Sequence, residues 1–148
     1  MAFRIRRVVT AHDAKGKAVV GADTTIESSP GNIDKNISAA DVWWTHSIPV
    51  EVERHDASGE PSPRMPTPSG TLLKILEISS GTQPVMHKTD TLDYAIVMEG
   101  EVDMLLDDGA EVHLKAGDIM IQRGTLHGWA NRADKPCRIA FVLVSARR

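Results

Sequence analysis

The sequence predicts an all-β domain, a small barrel or sandwich of short strands. Three observations predict it. Short runs of apolar and β-branched residues recur between Gly, Asp, Asn and Pro clusters. No long window repeats apolar residues at i, i+3, i+4 and i+7, as an amphipathic helix would. Two histidines, His87 and His127, sit on separate strand-like segments, each bracketed by turn glycines.

The elements follow in order. Arg4 to Thr10 reads as a strand and Lys17 to Val20 as its partner, with Asp13-Ala14-Lys15-Gly16 as the turn. This pair forms an N-terminal hairpin or arm. Asp41 to Thr45, with Trp43-Trp44, reads as another strand. Val52 to Ser69 is rich in Pro, Ser and Gly without periodicity, and is expected to be a long loop that covers the barrel mouth. Strands then follow closely at Leu72–Ile78, Leu92–Met98, Glu101–Leu106, Glu111–Leu114, Ile119–Gln122, Gly128–Asn131 and Arg138–Val144. Their turns are Glu99-Gly100, Asp107-Asp108-Gly109, Ala116-Gly117 and Asn131 to Lys135. One domain over residues 1–148 is expected: hairpin, strand and loop over 1–68, then a barrel core over 69–146.

Bulk properties narrow the function classes. A chain of 148 residues can bury a core without disulfides. The net charge of −3 and the scattered basic residues give no nucleic-acid or anionic-membrane footprint. The single cysteine, Cys137, forms no internal disulfide, and it is expected to be an inert thiol. The N-terminal MAFRIRRVVTAHD has no apolar segment of signal-peptide length, and no run reaches transmembrane length. A cytoplasmic location is the expectation.

The candidate site lies between Gly81 and Asn131. Gly81, His87, Thr89, Asp93 and Gly100 follow the spacing G-x5-H-x-T-x3-D-x6-G. Gly117, Gly124, His127 and Asn131 form a second cluster. Residues of equal parity share a strand face, so His87, Thr89 and Asp93 should point one way, as should His127, Trp129 and Asn131. If the two segments are neighbours, His87, Asp93 and His127 converge inside the barrel. Two imidazoles and a carboxylate suit Fe, Mn, Zn, Ni or Cu, with positions left open for substrate. A metal-free pocket, in which the same side chains bond each other or a ligand, is the alternative.

These motifs resemble those of the cupins, specifically the small single-domain bacterial kind. The first cupin motif is G-x5-H-x-H-x3,4-E-x6-G, and both glycines and the first histidine match it. The second is G-x5-P-x-G-x2-H-x3-N, matched by Gly117, Gly124, His127 and Asn131, with one residue fewer and Gln122 where proline is expected. The resemblance implies a jelly-roll barrel (a double-stranded β-helix) over about residues 69–146, and a homodimer. It also implies a metal set of three histidines and one glutamate. Here Thr89 stands for the second histidine and Asp93 for the glutamate, leaving His87, Asp93 and His127 as a reduced triad.

The function expected is a small-molecule enzyme acting on an oxygenated organic substrate. A single divalent metal, if bound, acts as a Lewis acid. Without one, His127 or His87 is the general acid or base and Asp93 orients it. Dehydration, decarboxylation or isomerisation survives the loss of a ligand better than oxygen activation does. A non-catalytic metabolite-binding cupin is the alternative. Thr89, Gln122 and Trp129 are expected to line the pocket. Tyr94 should face away from Asp93, and His113 should be a half-exposed strand residue. His46, beside Trp43-Trp44, is expected near the mouth.

Overall fold

The computed structural model describes residues 2–31 and 33–148. Eleven strands carry the fold, and no α-helix occurs among the described residues. The N-terminal strands are β1 (Arg4–His12), β2 (Ala18–Glu27), β3 (Ser29–Pro30) and β4 (Ile37–Thr45). The barrel core adds β5 (Thr71–Ile78), β6 (Thr91–Glu99), β7 (Glu101–Leu105), β8 (Glu111–Lys115), β9 (Ile119–Arg123), β10 (Gly128–Ala130) and β11 (Cys137–Ser145). All strand pairings are antiparallel. A six-stranded sheet runs β3-β4-β5-β11-β6-β9 and a three-stranded sheet runs β10-β7-β8.

The two sheets close over one core because their strands alternate. In β6 and β11 every second residue is buried, which is the period of a strand with one wet face. Leu72, Ile78, Val97, Val102, Ile139, Phe141 and Leu143 meet Trp44 and Trp129 between the sheets. Gly100 joins β6 to β7 at a φ of +77°, and a Cβ there would meet the Pro136 carbonyl oxygen at 2.4 Å. This motif glycine is therefore required by both backbone conformation and space.

The hairpin is longer than the sequence reading. β2 runs on to Glu27 rather than stopping at Val20, and a bulge lies between Val9 and Thr10. Its residues are mostly exposed, so no burial alternation marks it in the sequence. Exposed ion pairs Arg4–Glu27 and Arg6–Asp23 staple the two strands. Phe3, Ala40 and Ile75, with Ile5 and Ile26, seat the base of the hairpin on β4 and β5. β4 likewise begins at Ile37, ahead of the expected Asp41, because its first residues pair with β5.

The segment from 46 to 70 has no strand, but it is held against the body. Asp56 caps a short 3-10 turn, Ala57–Gly59, and Ala57 is fully buried. The Trp44 indole N–H donates to Glu60 at 2.5 Å, and the Ser62 hydroxyl donates to Asp41. His46 bonds Glu60 and Thr67 on this loop and does not line the cavity.

Candidate functional site

A cavity of about 270 Å³ lies on the interior face of the larger sheet. Ile37, Leu76, Phe141 and Leu143 make its apolar wall, and Met65 of the long loop contributes at its edge. His87, Thr89, Asp93, His127 and Trp129 line the other side. Its volume is at the low end of small-molecule sites, about 300 Å³ and upward.

The two histidines meet through the main chain. His87 lies outside the named strands, yet it forms an isolated antiparallel bridge with His127. Each donates its backbone N–H to the other's carbonyl at 2.9 Å. Residues directly opposite in an antiparallel pair put their side chains on one face. The rings accordingly lie 4.4 Å apart, centroid to centroid. His127 also packs edge-on against Trp129 at 5.7 Å, and Trp129 against Phe141 at 5.9 Å.

Both tautomers follow from these contacts. His87 Nδ1 lies 2.8 Å from the Val85 carbonyl, and His127 Nδ1 lies 2.9 Å from the Thr125 carbonyl. A carbonyl only accepts, so each Nδ1 carries the proton and each neutral ring keeps its lone pair on Nε2. His127 is 4% exposed. Burial pushes its pKa below the ordinary imidazole value; the Thr125 hydrogen bond opposes this, and His87's charge reinforces it.

Asp93 is held from below. It is 3% exposed and lies opposite Gln122 in the β6–β9 pairing. Thr91 donates its hydroxyl to Asp93 Oδ1 at 2.6 Å, and Thr89 lies 2.8 Å from the same Thr91 oxygen. Thr91 spends its only proton on Asp93, so Thr89 donates to Thr91 and turns a lone pair to the cavity. Burial raises the Asp93 pKa, while Thr91 and then His87 pull it back.

Three expectations are corrected here. Asp93 does not orient an imidazole; main-chain carbonyls orient both rings, and Thr91 holds the carboxylate. Gln122 does not line the cavity; its amide is turned to Met104 and Thr125. His87, Thr89 and Asp93 reach the cavity together without sharing a strand, because β6 starts only at Thr91. Tyr94 points outward at 44% exposure, as parity requires. His113 is half-exposed between Asp103 and Glu101, and burial of Cys137 pushes its thiol up to about 12.

The donor set does not fit a resident metal. Among the described residues no three His, Cys, Asp or Glu side chains form a group that holds a metal ion. The two rings lie together, tilted at 56°, and Thr91 holds Asp93 by its Oδ1.

The sequence reading missed two features. Asn131 is structural: its buried amide donates to the Ile78 and Lys135 carbonyls and accepts from the Ala133 N–H. Lys74 and Asp41 place an ion pair beside the cavity. The signal was legible, since Leu72, Lys74 and Leu76 alternate onto one face of a largely apolar strand.

Comparison with known proteins is consistent with this geometry. Residues 74–144 match the Cupin domain family. The chain is 31% identical over 152 residues to the phomopsin biosynthesis cluster protein C' of Diaporthe leptostromiformis, covering 95% of this chain and 78% of that one. It is 29% identical over 147 residues to the cupin-domain-containing oxidoreductase fogC of Aspergillus ruber, covering 95% and 72%. These relatives are fungal, not the bacterial kind expected. Among solved structures, a putative ethanolamine utilization protein Q from Salmonella typhimurium LT2 superposes at a TM-score of 0.54, with 14% identity and coverage of 98% and 99%. A cupin 2 conserved barrel domain protein from Salinispora arenicola superposes at 0.53, with 20% identity and coverage of 78% and 81%. No helix among the described residues is long and apolar enough to cross a membrane.

Proposed function

This chain belongs to the cupin family, and from that membership and its cavity we propose a small-molecule enzyme that moves a proton on an oxygenated organic substrate. The observation that carries the reading is the pair of imidazoles at the cavity wall, both with Nδ1 committed to a carbonyl and Nε2 free. An apolar substrate body fits against Ile37, Leu76, Phe141 and Leu143. Its reacting end lies at His87 and His127.

The roles divide by environment. Burial keeps His127 neutral near pH 7, so its Nε2 is the base that takes a proton from carbon. His87 is less buried and nearer solvent, and it returns a proton. A positive charge on the neighbouring His87 ring would further disfavour one on His127. Removal of a proton by His127 and its return by His87 to a neighbouring carbon is an isomerisation. Its return to a departing hydroxyl is a dehydration, with water as the second product.

Relatives named as oxidoreductases support a second reading, in which the same base removes a proton while an external acceptor takes the electrons. Solvent exchange separates the two. Wild-type protein in D2O with β-hydroxy or β-keto carbonyl compounds should wash deuterium into the carbon next to the carbonyl. His127→Ala should slow this by about a hundredfold or more while remaining folded. Oxygen uptake with no deuterium wash-in would sink the proton-transfer reading in favour of the redox one. Saturable binding with neither would leave a metabolite-binding cupin.

A further inference from the structure

The interior face of β5 carries a charge. Lys74 is registered between Asp41 of β4 and Phe141 of β11. Ile37 and Ala39 of β4 and Leu76 and Phe141 line the cavity, so this face looks into the barrel. The Lys74 and Asp41 side chains are 12% and 14% exposed. Taking two charges this far from water is costly unless their hydrogen bonds are completed.

Here they are not completed. Lys74 Nζ donates to the Arg64 carbonyl at 3.0 Å. Its separation from Asp41 Oδ1 is 3.6 Å, an ion pair too long for a hydrogen bond. Asp41 Oδ2 accepts from the Ser62 hydroxyl, while Oδ1 is buried with no hydrogen-bond partner. A purely structural pair would close to about 2.8 Å. Instead the ammonium and a carboxylate oxygen that accepts no hydrogen bond stand side by side, ion-paired at 3.6 Å. The place suits a ligand: Lys74 and Ala39 wall the main cavity and also a second one of about 340 Å³, which Ile26, Glu27, Ser29, Asp41, Ser62 and Arg64 complete; Asp41 lines only the second.

We propose that Lys74 and Asp41 form a recognition subsite for a neutral group that both accepts and donates a hydrogen bond, an alcohol hydroxyl or a carboxamide. The ligand oxygen accepts from Lys74, and its O–H or N–H donates to Asp41 Oδ1. A carboxylate satisfies only the lysine and sets a second negative charge against Asp41. An ether leaves Asp41 Oδ1 bare. The substrate class is then an amphiphile with an apolar body, a hydroxyl or amide at the Lys74 end, and its reacting carbon at the histidines. Only that last clause rests on the proposed function.

The test is equilibrium binding of four matched probes, followed by NMR: 4-phenylbutan-1-ol, 4-phenylbutanamide, 4-phenylbutanoate and the methyl ether of the alcohol. The alcohol and amide are expected to bind the wild type about tenfold or more tightly than the carboxylate and ether. Lys74→Met alone strands a buried carboxylate and endangers folding. The double variant Lys74→Met/Asp41→Asn leaves no lone charge, and it should bring all four probes within about twofold of one another. The proposal is overturned if the carboxylate binds tightest, if the double variant keeps the wild-type ranking, or if no probe binds saturably. The ranking should persist in His127→Ala. If wild type exchanges no deuterium and the ranking still stands, the subsite holds and only the proton-transfer reading falls.

Discussion

At the scale of single residues, the site is decided by which partner each polar atom meets. His127 Nδ1 is spent on the Thr125 carbonyl and His87 Nδ1 on that of Val85. These contacts leave the two bases facing the cavity. Burial depresses the His127 pKa. The unfolded imidazole, near 6.5, binds protons that the folded one refuses. Stability from this residue is therefore present above about pH 6.5 and is lost as pH falls through the lower folded value. Denaturant unfolding between pH 7.5 and 5 should lose stability toward acid by up to about 1.4 kcal/mol per pH unit. His127→Gln should remove that part of the slope, and an unchanged slope would show that the ring is not depressed. Histidines and glycines were readable as a pattern, but Thr91 was not. A threonine in a strand is ordinary, and only the buried Asp93 beside it shows what it holds.

At the scale of elements, strands β5 to β11 fall within a residue or two of where the sequence puts them. β6, β7, β9 and β11 each bury alternate residues, and glycines at positive φ mark several of the turns between core strands. The N-terminal third was harder to read. β2 is exposed on most of its length, and β3 is two residues long, so neither carries a burial period. Asn131, read as a motif residue, fastens the turn before β11. Its amide ties the end of β5 to the 131–135 turn through three hydrogen bonds. Asn131→Ala strands those buried groups, each worth about 1–3 kcal/mol. The expected loss is about 2–4 kcal/mol, visible as a lower melting temperature. A change under about half a kcal/mol would show that water replaces the amide.

At the scale of the whole molecule, the outer face of β6 and β9 is apolar. Tyr94 and Ile96 are registered against Ile121 and Ile119, and all four are exposed. The hairpin also stands largely bare, and a two-stranded hairpin is marginal alone in water. A contiguous apolar face of this kind marks an interaction site, and a second copy of the chain is the partner expected from the cupin resemblance. Sedimentation should give a dimer at micromolar concentration, and Ile119→Lys/Ile121→Lys should give a folded monomer. A wild-type monomer at that concentration would remove the expectation. The all-β class, the positions of the core strands and the choice of His87 and His127 as site residues were legible in the sequence alone, because strand period, turn glycines and motif spacing are local; that the two histidines pair across one bridge was decided by the fold. The tertiary structure alone decided that Asp93 is held by Thr91, that Gln122 turns away and that Lys74 meets Asp41 beside the cavity. Those outcomes depend on which strands become neighbours and on what burial leaves each polar atom to bond, and neither is written in local spacing.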